Sequence, residues 1–337
     1  MNILINGIGR IGKSIIRQSL NNDNFNVIAI NELNTNIDNI AYSINYDTTY
    51  GNITDKFEVK NNFLVNTTDK IEVLNYSSIL QIKNLDIDYI IDASGSKVDT
   101  NELKLLDVKA IFLTHPNKKA DINIILGVNE EKLSNEHKVI STSSCNATAL
   151  LPILKIIDDN YSIKSGDITT IHPLLNHQKV LDSGCVGNLD RDVDCNYEFG
   201  RSSLANIIPS KTTTIDACSY VDEKINKDIF SSSSLRVPTD TVGVINVTIF
   251  LDKECTKDEL LSLCKNYRKN QKFDIILNNC KPLVSSDFKG EKYTTIIDHR
   301  FTDIKNNNMV KLVLWYDNEW GYASKVIGIV EYLDKKI

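Results

Sequence analysis

The sequence predicts an α/β protein in two parts: a parallel-sheet domain with crossover helices, and an α+β domain on a mixed or antiparallel sheet. Three observations carry that prediction. A short apolar strand (residues 3–5) runs into Gly7-x-Gly9-x-x-Gly12, with a helical stretch behind it at 13–20. Through residue 144, strand-like and helix-like patterns alternate, as strands in a parallel sheet do. Beyond Cys145, longer runs with period-two alternation dominate.

The glycine spacing has a physical reading. Gly7 permits a tight turn, Gly9 lets backbone amides approach a pyrophosphate, and Gly12 lets the helix pack close to the strand. The N-terminus of the following helix then faces an anion with unpaired N–H groups and the positive end of its dipole, and Arg10 and Ile11, in the loop before it, are further cofactor-binding candidates. A second apolar strand (25–30) ends at Asn31-Glu32, and Glu32 stands 20 residues after Gly12. An acid there accepts hydrogen bonds from the adenosine ribose hydroxyls of NAD and repels the extra phosphate of NADP. The competing reading is an ordinary glycine-rich loop followed by a surface glutamate. Strand, turn, helix, strand and acid in order favour a Rossmann-type parallel-sheet NAD-binding domain.

Further apolar runs at 89–92, 110–113, 122–126 and 139–140 read as buried strands. Ser94 and Thr114 lie just past strand ends, where ligands collect in an open α/β sheet; simple turn chemistry competes at both. Residues 147–157 and 256–267 read as helices, and 242–251 and 309–316 as strands. The stretch 318–333 reads as a helix that returns to the first domain, giving domains of 1–144 with 318–337, and 145–317. Residues 182–203 lack periodicity and are rich in Asp, Gly, Asn and Ser; an irregular loop of that length is a functional or interface element.

Bulk properties exclude several classes. The 337-residue chain carries a net charge of -6, which gives no support for binding nucleic acid or an anionic membrane. No run reaches the ~18 apolar residues of a membrane span, and the chain opens on a core strand, so the expectation is a cytoplasmic protein without a signal peptide. The seven cysteines are scattered with no C-x-x-C, against a disulfide framework and against a metal site.

Cys145, in Ser-Thr-Ser-Ser-Cys-Asn-Ala-Thr-Ala, sits at a strand–helix junction where a helix N-terminus favours the thiolate. Without a partner it reads equally as a small buried hydrophobe. The candidate partner is His172, at the end of an apolar strand, giving a nucleophile with a general acid/base. His177, between Asn176 and Gln178, reads as a solvated decoy, and His115, His137 and His299 read as structural groups on loops or exposed strand faces. Arg236 closes an apolar segment, where its fork suits a phosphate or carboxylate; a structural ion pair is the alternative. Ser144, Thr212 and Thr213 add hydroxyls of the kind that bind phosphate.

These residues together resemble the phosphorylating glyceraldehyde-3-phosphate dehydrogenase family, including its erythrose-4-phosphate dehydrogenase branch. The resemblance spans the chain, through Ile5-Asn-Gly-Ile-Gly-Arg-Ile-Gly12, Ile30-Asn-Glu-Leu33, Ser144-Cys145, Thr169-Thr-Ile-His172, Leu235-Arg-Val-Pro-Thr239 and Trp315-Tyr-Asp-Asn-Glu-Trp-Gly-Tyr322. It implies an α+β catalytic domain with Cys145 as nucleophile and His172 as base. It also implies hydride transfer to NAD, and cleavage of a thioester by inorganic phosphate. It implies that Asn318 orients the nicotinamide carboxamide, and that Arg236, Ser144 and Thr212 bind phosphate. A homotetramer acting on a small phosphorylated aldehyde follows from the same resemblance.

The chain also departs from the family. Asn146 and Leu175 replace threonines that contact phosphate, and Thr213 replaces a glycine. The loop at 182–203 is longer than usual and keeps only Arg201 of an Asp-Leu-Arg-Arg run. Leu175, Glu32 and Trp320 look like the erythrose branch. The alternatives are therefore an erythrose 4-phosphate or other aldose-phosphate dehydrogenase, hydrolytic in its second step, and a non-catalytic NAD-binding relative.

Overall fold

The structure is a computed structural model that describes residues 1–20, 22–33, 36–83, 85–184 and 197–336. The chain divides into two compact units, 1–148 with 220–222 and 319–337, and 149–219 with 223–318. The first unit thus extends past residue 144, and the last helix belongs to it.

In the first unit the elements follow in the order β1 (Asn2–Asn6), α1 (Arg10–Ser19), β2 (Asn26–Asn31) and α2 (Ile37–Asn45). Five short strands come next: β3 (Tyr46–Asp47), β4 (Gly51–Asn52), β5 (Glu58–Lys60), β6 (Phe63–Val65) and β7 (Lys70–Leu74). Then come β8 (Tyr89–Asp92), α3 (Thr100–Leu103), β9 (Ala110–Leu113), β10 (Ile122–Asn123) and β11 (Val139–Ser141). The nine-stranded sheet runs β10-β11-β9-β8-β1-β2-β7-β6-β5. It is parallel from β10 to β7, and only β6 and β5 turn antiparallel. β1 has β2 on one side and β8 on the other, so the strand order reverses there and opens a crevice at the carboxyl ends. Leu4, Ile90, Ile111 and Val139 pack into one apolar layer, as expected of strands covered on both faces.

The helix α4 (Cys145–Tyr161) is longer than the 147–157 reading at both ends, and places Cys145 in its first turn. The 122–126 run is a strand only over its first two residues, because the chain turns by Gly127 at φ +81°.

The second unit continues with β12 (Ile163–His172), β13 (Ile208–Ser210), α5 (Thr214–Ser219), β14 (Phe230–Arg236) and β15 (Gly243–Leu251). It is completed by α6 (Lys257–Asn270), β16 (Ile276–Asn279), β17 (Thr295–Asp298), β18 (Asp303–Lys305) and β19 (Met309–Tyr316). Its sheet runs β13-β14-β12-β15-β19-β17-β16, with β18 beside β19. It is mixed: β12 is parallel to β14 and antiparallel to β15. Period-two alternation buries Ile245, Val247 and Ile249 with Val310, Leu312 and Leu314 on one face. The helix α6 is opened by Thr256, whose side chain accepts from the Glu259 N–H while Glu259 reaches back.

The helix α7 (Trp320–Asp334) belongs to the first unit. Gln18 donates to the Trp320 carbonyl at 3.0 Å and Asn22 to Glu331 at 2.6 Å, which ties it to α1 and the turn behind it. Among the described residues no helix is long and apolar enough to cross a membrane. Residues 185–196 of the irregular loop, with Cys185 and Cys195, lie outside the described residues. At the base of that loop Arg201 pairs with Asp182 at 2.9 Å.

Candidate active site

The glycine loop shows what each glycine is for. A Cβ on Gly7 (φ +91°) would stand 2.5 Å from the Ser94 Cα, and one on Gly12 would strike the Gly7 carbonyl. At Gly9 a Cβ would meet nothing within 4 Å. Gly7 and Gly12 are therefore glycines because the protein presses on them, whereas Gly9 faces open space. Gly9 is also the N-cap of α1 and offers no side-chain cap, so the first-turn N–H groups of Arg10, Ile11 and Gly12 have no carbonyl one turn earlier. That is an anion cradle of the kind a dinucleotide pyrophosphate fills.

Polar side chains stiffen the floor of this crevice. Asn6 donates to Asp92 at 3.0 Å, and Asn31 donates to Asn6 at 2.8 Å. Ser94 binds the same Asp92 oxygen through both its N–H and its hydroxyl, at 3.1 and 2.6 Å. Thr114 spends its hydroxyl on the Asp92 carbonyl at 3.0 Å. The Glu32 carboxylate accepts from the Ile8 N–H at 2.8 Å and from the Leu33 N–H at 3.0 Å, which places the acid beside the glycine loop.

The Arg10 side chain turns to other partners. The guanidinium grips Glu319 with three contacts of 2.6–2.9 Å and Asp47 at 2.5 Å, so it serves an ion-pair cluster. Burial works against its charge, but the two carboxylates outweigh it and hold its pKa above the ordinary value. Only its backbone N–H is left to the cradle.

Cys145 is the first residue of α4 and half-buried. Ser144 precedes it as the cap, its Oγ accepting from the Ala147 N–H at 3.2 Å. The Cys145 thiol lies 3.6 Å from the Asn146 Oδ1. Two residues before Cys145, Ser143 adopts a left-handed φ of +60°.

In the second unit, β12 and β14 end side by side, and the parallel register pairs His172 with Arg236. His172 Nδ1 lies 2.9 Å from the Pro173 carbonyl. A carbonyl only accepts, so Nδ1 carries the proton and Nε2 the lone pair. Burial first, and the Arg236 charge second, lower the His172 pKa to about 3, against the Pro173 hydrogen bond. At neutral pH the imidazole is uncharged and able to accept a proton.

Asn318 is held by its carbonyl. Its Oδ1 accepts from the Val242 N–H at 3.1 Å and lies 3.2 Å from the Thr241 hydroxyl. This fixes the carboxamide so that its Nδ2 hydrogens are the groups left to donate. Val242 has φ +67°, a costly conformation for a β-branched residue, at the point where its N–H meets Asn318. Thr212 bonds the Thr214 hydroxyl at 2.7 Å and accepts from the Thr214 N–H at 3.2 Å, while Thr213 stays exposed at the start of α5.

Of the expected residues, Gly7, Gly9, Arg10, Ile11, Gly12, Glu32, Ser94, Thr114, Ser144, Cys145 and Asn146 fall in the first unit. His172, Thr212, Thr213, Arg236 and Asn318 fall in the second. The sequence reading missed Asp47 and Glu319 as partners of Arg10, and Thr241 and Val242 as the cradle of Asn318. These partners lie far apart in the chain and carry no local pattern. One histidine reading is corrected. His299 is buried rather than exposed, with Nε2 2.7 Å from Asn278 and Nδ1 3.2 Å from Thr302. Gln178 is buried and accepts from the Leu175 N–H at 2.7 Å, while His177 is exposed as read.

Residues 1–100 match the family description "Glyceraldehyde 3-phosphate dehydrogenase, NAD binding domain", and residues 144–318 match its "C-terminal domain". The chain is 31% identical to glyceraldehyde-3-phosphate dehydrogenase 1 of Bacillus subtilis (strain 168), over 98% of both chains. It is 34% identical to the glyceraldehyde-3-phosphate dehydrogenase of Buchnera aphidicola subsp. Schizaphis graminum, again over 98% of both. It is also 34% identical to glyceraldehyde-3-phosphate dehydrogenase 2 of Staphylococcus aureus (strain MRSA252), over 98% of this chain and 95% of that one.

Proposed function

Because the chain belongs to the glyceraldehyde-3-phosphate dehydrogenase family, we propose that it oxidises glyceraldehyde 3-phosphate with NAD and inorganic phosphate to an acyl phosphate. The observation that carries this reading is Cys145 itself, the first residue of a 17-residue helix behind a serine cap. The helix dipole and first-turn N–H groups favour a thiolate there.

The residues present fit the cofactor. Gly9, with open space where a Cβ would stand, and the first-turn amides of α1 take the pyrophosphate. Glu32 takes the adenosine ribose, and Asn318 donates to the nicotinamide carboxamide. When bound, NAD supplies the hydride acceptor. The Cys145 sulfur attacks the aldehyde carbon to give a thiohemiacetal. Neutral His172 takes the hydroxyl proton as the hydride leaves, and a thioester remains on Cys145. Phosphate held by Ser144, Asn146, Thr212 and Thr213 attacks that thioester, and the Cys145 thiolate leaves. Arg236 pairs with the phosphate of the substrate. In this division residues 1–144 and 318–337 bind the cofactor and 145–317 carry the catalytic domain.

Purified protein should form NADH from glyceraldehyde 3-phosphate only when inorganic phosphate is present, and Cys145→Ala should keep NAD binding while losing turnover. Turnover by that variant would end the covalent reading. One observation favours a second substrate: Leu175 offers no hydroxyl, and its N–H is taken by Gln178. Faster turnover of erythrose 4-phosphate would select that reading. The working assembly is a homotetramer in the cytoplasm. The exposed Leu181, Leu204 and Ile207, flanking the irregular loop, support burial against further subunits. Sedimentation velocity tests the assembly, and a monomer would overturn it.

A further inference from the structure

Ser143 is fully buried, left-handed at φ +60°, and its hydroxyl has no hydrogen-bond partner among the described residues. Each feature is unfavourable, and both persist only where the surroundings over-determine the conformation. Those surroundings grip Ser143 from both ends. Its N–H donates to Ser141 Oγ at 3.1 Å, and Ser141 donates to the His115 carbonyl at 2.8 Å. Its carbonyl accepts from the hydroxyl of Tyr322, a buried residue on α7, at 3.1 Å.

The Tyr322 hydroxyl is itself held by a neighbour. Thr142 Oγ1 lies 2.8 Å from the Tyr322 oxygen and 3.1 Å from the Leu113 carbonyl. The Leu113 carbonyl already accepts the Thr142 N–H at 2.9 Å. Tyr322 must spend its single proton on Ser143, because a carbonyl cannot donate. Tyr322 donates to the Ser143 carbonyl, and the Thr142 hydroxyl, which donates to the Leu113 carbonyl, lies against the phenol oxygen and holds the ring in place. Burial raises the Tyr322 pKa, so the phenol stays a donor over the working range.

We propose that Tyr322, oriented by Thr142, is a positioning residue. Its hydroxyl locks the strained Ser143 peptide and so fixes how the chain enters α4, which holds the helix-end N–H groups in place around the Cys145 sulfur. This rests on the reading of Cys145 as the nucleophile. A peptide's C=O and N–H point in opposite directions, so anchoring the Ser143 carbonyl also sets the direction of the Ser144 N–H. When the anchor is lost, Ser143 relaxes toward an ordinary φ and the cap residue moves with it.

The test uses the full chain as Tyr322→Phe, Thr142→Val, Thr142→Ser and Cys145→Ala. The pH dependence of Cys145 alkylation by iodoacetamide, mapped by peptide mass, needs no substrate. In Tyr322→Phe the alkylation midpoint should rise by about one pH unit, and kcat should fall about 10- to 100-fold with little change in KM. Thr142→Val should move both in the same direction by less, and Thr142→Ser should recover most of the loss. An unchanged alkylation profile and kcat in Tyr322→Phe, with only thermal stability altered, would overturn the proposal. If Tyr322→Phe does not fold, the contrast between Thr142→Val and Thr142→Ser decides by the same readouts. A Cys145→Ala variant that still turns over would defeat the nucleophile reading instead, which separates the two failures.

Discussion

At His172, neighbours decide the protonation state. Burial and then Arg236 hold the imidazole neutral, with its pKa lowered to about 3, and the Pro173 carbonyl selects the tautomer. Arg236→Met removes the cation and should raise the His172 pKa toward its ordinary value, read by NMR titration of the ring. A titration that does not move would leave burial as the whole cause. Glu32 carries a second residue-scale prediction. Its carboxylate accepts from the Ile8 N–H, which puts a negative charge beside the glycine loop, and the proposed ribose contact would make that charge a barrier to a 2′-phosphate. Glu32→Gln should lower the NAD-over-NADP ratio of kcat/KM by at least about tenfold. An unchanged ratio would remove Glu32 from cofactor choice.

At the scale of elements, the three loop glycines separate folding from binding. Gly12→Ala pushes a methyl onto the Gly7 carbonyl and should cost about 2–3 kcal/mol of stability in denaturant titrations. Gly9→Ala meets nothing in the protein at an ordinary φ of −72°, so stability should stay within about 0.5 kcal/mol. NAD affinity should nonetheless fall at least about tenfold, because the methyl takes the space where the pyrophosphate approaches. Equal NAD affinity in Gly9→Ala would put the phosphates elsewhere. The element bounds also show what was legible. β8, β9 and β19 lie where their apolar runs end. The start of α4 was less visible, because Cys145 and Asn146 are weak helix formers and the helix is set by the Ser144 cap. The strands β3 to β7 are two to five residues long, too short for alternation to register.

For the whole molecule, acid sensitivity follows from groups titrating in one direction. His115, His172 and His299 are all held below the ordinary histidine pKa, first by burial. The unfolded chain therefore binds more protons than the fold between about pH 6.5 and the lowered values, and stability must fall as pH drops through that window. Carboxylates extend the loss at lower pH. For Asp298, burial raises its pKa, but Arg300 and Trp315 more than offset this, and stability is lost as the group is protonated. His172→Gln should flatten the decline between pH 6 and pH 4 by up to about 1.4 kcal/mol per pH unit, measured by denaturant titration. A slope equal to the parent's would mean that His172 is not held neutral.

The division between what the chain spells out and what the fold decides follows the range of the interactions. Strand–glycine–helix order, period-two alternation after Cys145 and the strand–helix junction at that cysteine are local, because backbone conformation and side-chain facing depend on near neighbours. They determined the fold class, the glycine loop that opens α1 and the place of Cys145 at a strand–helix junction. Only the tertiary structure decided that the Arg10 side chain belongs to Asp47 and Glu319, that Asn318 hangs from Thr241 and Val242, and that Arg236 lies in register with His172. It also brought Tyr322 to Ser143. Each of these contacts joins residues distant in the chain, and burial then gives them their strength by removing the water that would otherwise compete.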